Sequence, residues 1–189
     1  MSNSNHIITY RFERIRKNGN GHEIIGKRMY HETGATAREG EFSHPVSYVM
    51  LRNDNRYLLQ MRSDKVTNPH TFDFSSAGHV DYRETLEESA LREGLEELGI
   101  NLKKEDLKEF YFFPSKTNPK HLVFGFTVDY NENIHGKVNP EKDGEVDPNG
   151  TEFYSKEKLK ELYQNGKINP NLQHYFEERA GINLEAKNE

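Results

Sequence analysis

Short apolar runs separated by polar, glycine-bearing breaks mark out most of the chain. Ile7 to Ile15 is rich in β-branched and aromatic residues. The turn signal Asn18-Gly19-Asn20-Gly21 and a return run from Glu23 to Met29 follow it. This pattern predicts an N-terminal β-hairpin. Residues 30–43 are polar, hold Gly34 and Gly40, and read as a connecting loop. Val46 to Leu51 and Tyr57 to Met61 read as strands on either side of Arg52-Asn53-Asp54-Asn55. A loop with Asn68-Pro69 leads to the alternating Phe72-Asp73-Phe74, and Phe110 to Phe113 and His121 to Tyr130 read as two more strands.

The helical period is clearest from Thr85 to Leu98. Leu91, Leu95 and Leu98 repeat at helical spacing, with Leu86 and Ala90 near the same stripe. Thr85 followed by Glu88 has the form of a capping box, and Gly99 supplies the stop. Ser155 to Gln164 reads as a second helix closing near Asn165-Gly166, and a third starts at Asn169-Pro170. Residues 131–150 read as a loop and the chain after Gly181 as a frayed tail. Strands mixed with a few helices, without strict alternation, point to an α+β or mixed-sheet α/β sandwich.

Composition narrows the chemistry. The 189 residues fit one domain, with 33% hydrophobic and 30% charged residues and a net charge of −5. That balance gives no general attraction to a nucleic acid polymer or an anionic membrane. The chain has no cysteine, which excludes thiol catalysis, thiolate metal sites and disulfides. The N-terminus lacks the stretches of a signal peptide and no run is long enough to span a membrane, so a cytoplasmic location is expected.

The segment from Gly78 to Ile100 concentrates the chemistry. Glu84 follows Gly78 after five residues, and Arg92-Glu93 follows Glu84 after seven. On a helix Glu93, Glu96 and Glu97 are neighbours, and such carboxylates repel by roughly 0.2–0.5 kcal/mol per exposed pair. Arg92 answers part of that charge, and a divalent cation would answer the rest. Oxygen-only ligands suit Mg²⁺, with Mn²⁺ as a substitute. Taken one at a time, these glutamates read as a solvated helix face. Together, their fixed identities and spacings arise by chance with a probability on the order of 1 in 10⁵.

This stretch resembles the Nudix box: Gly, five residues, Glu, seven residues, then Arg-Glu-apolar-any-Glu-Glu-any-Gly-apolar. Gly78, Glu84, Arg92, Glu93, Glu96, Glu97, Gly99 and Ile100 match it. Gly94 departs from it, standing where an aliphatic residue is usual. The resemblance, extending over residues 10–165, implies an α/β/α sandwich with a loop–helix–loop metal site. It implies Mg²⁺ ligation by Glu93, Glu96, Glu97 and the Gly78 carbonyl. By the same carry-over Glu93 is a candidate base, Arg92 orients it, Glu84 supports the loop, and Glu97 joins the catalytic set.

The implied partner is a small organic diphosphate, nucleoside derivatives included. The expected organisation is a single Nudix-type domain over 1–189, with residues 1–43 as hairpin and connecting loop and 182–189 as a flexible tail. The hairpin offers a route to a homodimer. Outside the box, Arg62 and Lys65 after a strand, Glu145 in the long loop, and His79 are candidates for substrate binding. Each also reads as an ordinary surface or structural residue. Arg62, Lys65, His79 and His44 are placed as in a subgroup similar to isopentenyl diphosphate isomerase. Isomerase chemistry needs a cysteine, so hydrolysis is the expected reaction. The alternatives are isomerisation of an isoprenoid diphosphate and a non-catalytic nucleotide-binding module.

Overall fold

Val46, Tyr48 and Met50 feed one apolar cluster, and Val49 and Leu51 feed another. A strand buried on both faces belongs at the centre of a sheet. In the computed structural model this strand, β3 (His44–Asn53), is the centre. The described residues are 7–18, 21–31, 43–81, 84–140 and 144–185; within the two N-terminal strands only 16, 17, 21, 22 and 25 are described beyond the backbone. Those strands, β1 (Ile7–Asn18) and β2 (Gly21–His31), pair antiparallel as the expected hairpin. Its Gly19-Asn20 turn and most of the connecting loop lie outside the described residues.

The main sheet is mixed and seven-stranded. β3 runs parallel to β8 (His121–Asp129), with Val46 opposite Val123 and Leu51 opposite Val128. Beyond β8 lies antiparallel β7 (Lys108–Pro114). The other edge of β3 is forked. Its end pairs with β4 (Arg56–Arg62), and its start pairs with β6 (Ser76–His79). β4 carries β5 (Phe72–Asp73) and β9 (Val146–Ser155). The fork is fixed by Ser75, whose hydroxyl donates to the Leu58 carbonyl at 2.7 Å and accepts from the Leu51 amide at 2.8 Å.

Helix α1 (Leu86–Leu98) covers one face of the sheet. The capping box forms: the Glu88 amide donates to the Thr85 hydroxyl at 3.2 Å, and the Thr85 amide to the Glu88 carboxylate at 2.7 Å. Gly99 ends the helix at φ 67°. A four-residue helix, α2 (Glu132–His135), follows β8. The other face is covered by α3 (Lys156–Gln164) and α4 (Pro170–Glu178), capped by Ser155 and Asn169. The result is the expected mixed-sheet α/β/α sandwich. Among the described residues no helix is long and apolar enough to cross a membrane.

The fold corrects four readings of the sequence. Leu95 is 44% exposed and Leu91 only half-buried, so the inward face of α1 runs through Leu86, Ala90, Gly94 and Leu98, flanked by Glu93 and Glu97. β6 and β9 are strands that the pattern does not announce. The expected loop over 131–150 contains α2 and the start of β9. Chain fraying does not begin at Gly181, because Ile182 and Leu184 are buried in the core beside α4.

Candidate active site

α1 lies directly over β6, and a missing side chain sets the closeness of that packing. A Cβ on Gly78 would fall 1.8 Å from Oε1 of Glu93. The Glu93 carboxylate therefore rests on the glycine backbone, where any other residue would exclude it. One residue earlier, the Ala77 amide donates to Oε2 of Glu97 at 2.9 Å. Glu93 and Glu97 are 8% and 5% exposed. Buried carboxylates are costly unless paired, so their presence beneath the helix calls for a compensating charge.

Arg92 supplies part of it. Its Nε and Nη2 grip Glu84 at 2.8 and 3.1 Å, Nη2 also donates to the His79 carbonyl at 2.9 Å, and Nη1 donates to Glu93 at 2.6 Å and Glu96 at 3.0 Å. A planar fork of this kind suits a guanidinium and no other side chain. Burial opposes the Arg92 charge, but Glu84 and Glu93 outweigh burial and hold it above the usual arginine range. Glu84 also accepts the Asp81 amide at 3.0 Å, which closes the loop entering α1. Burial lifts the Glu93 carboxyl to about 7 despite Arg92, with Glu96 and Glu84 adding to the rise.

Gly78, Glu84, Arg92, Glu93, Glu96 and Glu97 are thus gathered at one place, where β6 meets α1. Glu96 is the outlying member, with a side chain 55% exposed. Among the described residues no three carboxylate or imidazole groups converge on a single point; Arg92 holds Glu93 and Glu96, and Ala77 holds Glu97. The donor set fits a hard divalent cation: carboxylate and carbonyl oxygens, two of the acids buried, with one arginine shared among them. The glycine beneath Glu93 leaves room for close approach.

His79 reaches this site through its carbonyl. Its ring projects from the opposite face of β6, as strand alternation requires. There it lies 5.2 Å from the ring centre of His121 and 6.0 Å from that of His44. Arg62, Lys65 and Glu145 form a second group. The Ser63 amide donates to the Glu145 carbonyl at 2.9 Å and the Ser63 hydroxyl to that of Gly144 at 2.7 Å, so the loop after β4 is stapled to the segment before β9. Lys65 lies against Gly144. Arg62 is engaged by the Thr67 carbonyl at 2.8 Å and Asp73 at 3.4 Å.

Tyr48 lies within electrostatic reach of both groups. Burial holds its hydroxyl well above the usual phenol range; Asp73 and Glu97 add to this and Arg62 opposes it. Asn171 of α4 donates to the same hydroxyl at 3.3 Å. Tyr48, Asp73, Asn171 and the Ala77 amide are missing from the sequence-derived candidates. Asp73 alone carried a signal, as an acid between two core phenylalanines.

The model of the NUDIX domain matches residues 42–176. The chain belongs to the Nudix family. Nudix hydrolase 3 of Arabidopsis thaliana is 37% identical over 82 residues, covering 42% of this chain and 11% of that protein. The chain thus matches only about a tenth of that relative's length. Among solved structures, DR0079 from Deinococcus radiodurans aligns with a TM-score of 0.60 and 19% identity, covering 92% of this chain and 98% of that one. The MutT protein from Methanosarcina mazei Go1 aligns at 0.53 with 24% identity, over 72% and 91% of the respective chains. These likenesses establish the Nudix fold. The family match covers the whole box and every element of the main sheet.

Proposed function

We propose that this Nudix chain is a Mg²⁺-dependent hydrolase that cleaves a phosphoanhydride bond in a small organic diphosphate, nucleoside diphosphate derivatives included. One observation carries the reading: Glu93 and Glu97, both buried, sit against the backbone of Gly78 and Ala77 within a Nudix box that keeps its full acidic set. Glu93, Glu96, Glu97 and the Gly78 carbonyl would hold the metal, with Mn²⁺ as a substitute. When bound, such a cation neutralises phosphate charge and makes a coordinated water more acidic.

The remaining work falls to the chain. Glu93 is the candidate base and would take a proton from the attacking water. Arg92 fixes the position of that carboxylate and ties the entering loop through Glu84. The Ala77 amide holds Glu97 in one orientation. Arg62, at the end of β4, and Lys65, on the loop stapled to Glu145, are the candidates to bind the substrate's phosphates. The substitution Glu97→Gln keeps the shape and removes the charge. Mg²⁺-dependent release of a phosphorylated product, screened over diphosphate compounds, should fall by about 100-fold or more with an unchanged circular dichroism spectrum. Undiminished turnover would overturn the proposal.

A further inference from the structure

Glu87 is a buried acid that the proposed chemistry leaves unused. It lies in the first turn of α1 and is 5% exposed. At about 100° per residue, Glu87 and Glu93 stand about 120° apart, on opposite borders of the face that α1 turns to the sheet. An apolar side chain would close that border at lower cost, because a buried charge must be paired. What a carboxylate adds is direction.

The N-terminal hairpin supplies the partner. The His22 amide donates to both Glu87 oxygens, at 2.8 and 3.0 Å, and the His22 ring Nδ1 lies 2.6 Å from Oε1. Gly21 has φ 132°, and a Cβ there would fall 2.2 Å from Glu87 Oε2. The hairpin tip seats on the helix because this position is glycine. The seat is also fixed to the sheet. The His22 ring stacks on Phe110 of β7 at 3.9 Å and 6°, and Phe110 packs against Phe126 of β8 at 5.3 Å. One histidine thus ties Glu87 to β7.

That tie bears on the carboxylates across the helix. Leu86, Ala90 and Leu98 hold α1 against the sheet but resist its rotation weakly, because apolar packing is non-directional. A helix with its side chains has a radius of about 5–6 Å, so a rotation of about 10° moves a carboxylate at its rim by about 1 Å. A misplacement of about 1 Å at a reacting centre costs roughly 100-fold in rate. On the Glu93 border, Arg92 and the Ala77 amide bind α1 to β6. On the other border, His22 binds it through Glu87. Pinned on one border the helix can pivot; pinned on both it cannot.

We infer that His22 and Glu87 are positioning residues: the hairpin, seated on the first turn of α1, sets the rotation at which Glu93 and Glu97 meet the backbone of β6. Its effect on metal binding rests on the proposed function; the positioning itself does not, and is read without metal. Amide hydrogen exchange of the full chain in EDTA, followed by nuclear magnetic resonance, reports on the contact between the Ala77 amide and Glu97. G21A drives a Cβ into Glu87, and E87Q keeps the shape while turning one acceptor into a donor. Each should speed exchange at Ala77 about tenfold and leave the Val123 amide at the sheet centre within about twofold. The double variant G21A/E87Q should go no further than the stronger single one, because both act through one contact. The same variants should bind Mn²⁺ about tenfold more weakly than wild type. Unchanged exchange at Ala77 in both variants, equal acceleration at Ala77 and Val123, or wild-type Mn²⁺ affinity in both would each overturn the assignment. A wild-type chain that binds no Mn²⁺ would overturn the metal reading alone, and the exchange at Ala77 would then decide the positioning.

Discussion

Among the described glycines, Gly78 has the closest neighbour, the Glu93 carboxylate. With a Cβ 1.8 Å from a carboxylate oxygen, Gly78→Ala forces Glu93 out of its place. A misplacement of about 1 Å costs roughly 100-fold in rate, so G78A should lose at least that much activity while keeping its sheet and helices; turnover and circular dichroism check both halves. Glu93 itself predicts a pH signature. Its carboxyl rises from 4.5 to about 7 on folding, chiefly through burial. An acid lifted in this way weakens the fold as pH climbs between those values, because the unfolded chain ionises first. E93Q escapes that penalty. Its stability gain in EDTA should be negligible near pH 4, grow to pH 7, and level off at about 3 kcal/mol; urea titrations at several pH values read it. An E93Q chain no more stable at pH 8 than wild type would contradict the burial argument. The carboxylates were legible in the sequence because fixed spacing on one helix encodes their proximity. The Ala77 amide and the Tyr48–Asn171 contact were not, since tertiary folding alone brings those groups together.

At the scale of elements, α1 was readable to the residue because its caps are local chemistry: Thr85, Glu88 and Gly99 act over a few positions. Its inward face was misread through Leu95, since the buried stripe is shared with acids that hydropathy assigns to solvent. Gly94 explains the departure from the box. A Cβ there would meet Leu102 at 3.1 Å and Ile100 at 3.8 Å, so the missing side chain lets those residues pack beneath the helix. For G94A, the gain in helix propensity of about 1 kcal/mol opposes a mild overlap, and the net change in urea unfolding should stay within about 1 kcal/mol. G94L should destabilise by about 1–3 kcal/mol through overpacking. Equal stability of G94L and wild type would show that the space is not filled as described. β9 escaped the sequence because Pro148, Asn149 and Gly150 read as loop. The chain tolerates them at a register shift opposite Leu59 and Met61, where the Thr151 hydroxyl accepts the Met61 amide at 3.0 Å. β6 escaped because Ser76-Ala77-Gly78-His79 has small residues that serve close packing rather than strand propensity.

Across the whole molecule, the sandwich places a forked sheet edge beneath one helix, and the fork brings the backbone of β6 to the carboxylates of α1. The overall architecture was legible because both faces of β3 are apolar, as a central strand requires. The hairpin was legible as a hairpin, but its seat on Glu87 was not, because no local pattern links His22 to a residue so far along the chain. The proposed metal site is built on the buried acids of α1. Titration with Mn²⁺, followed by electron paramagnetic resonance of the free ion, tests this most directly. Wild type should remove Mn²⁺ from solution saturably, with Mg²⁺ competing for the site, and E97Q should bind at least about tenfold more weakly. Equal Mn²⁺ binding by wild type and E97Q, or none by either, would contradict it.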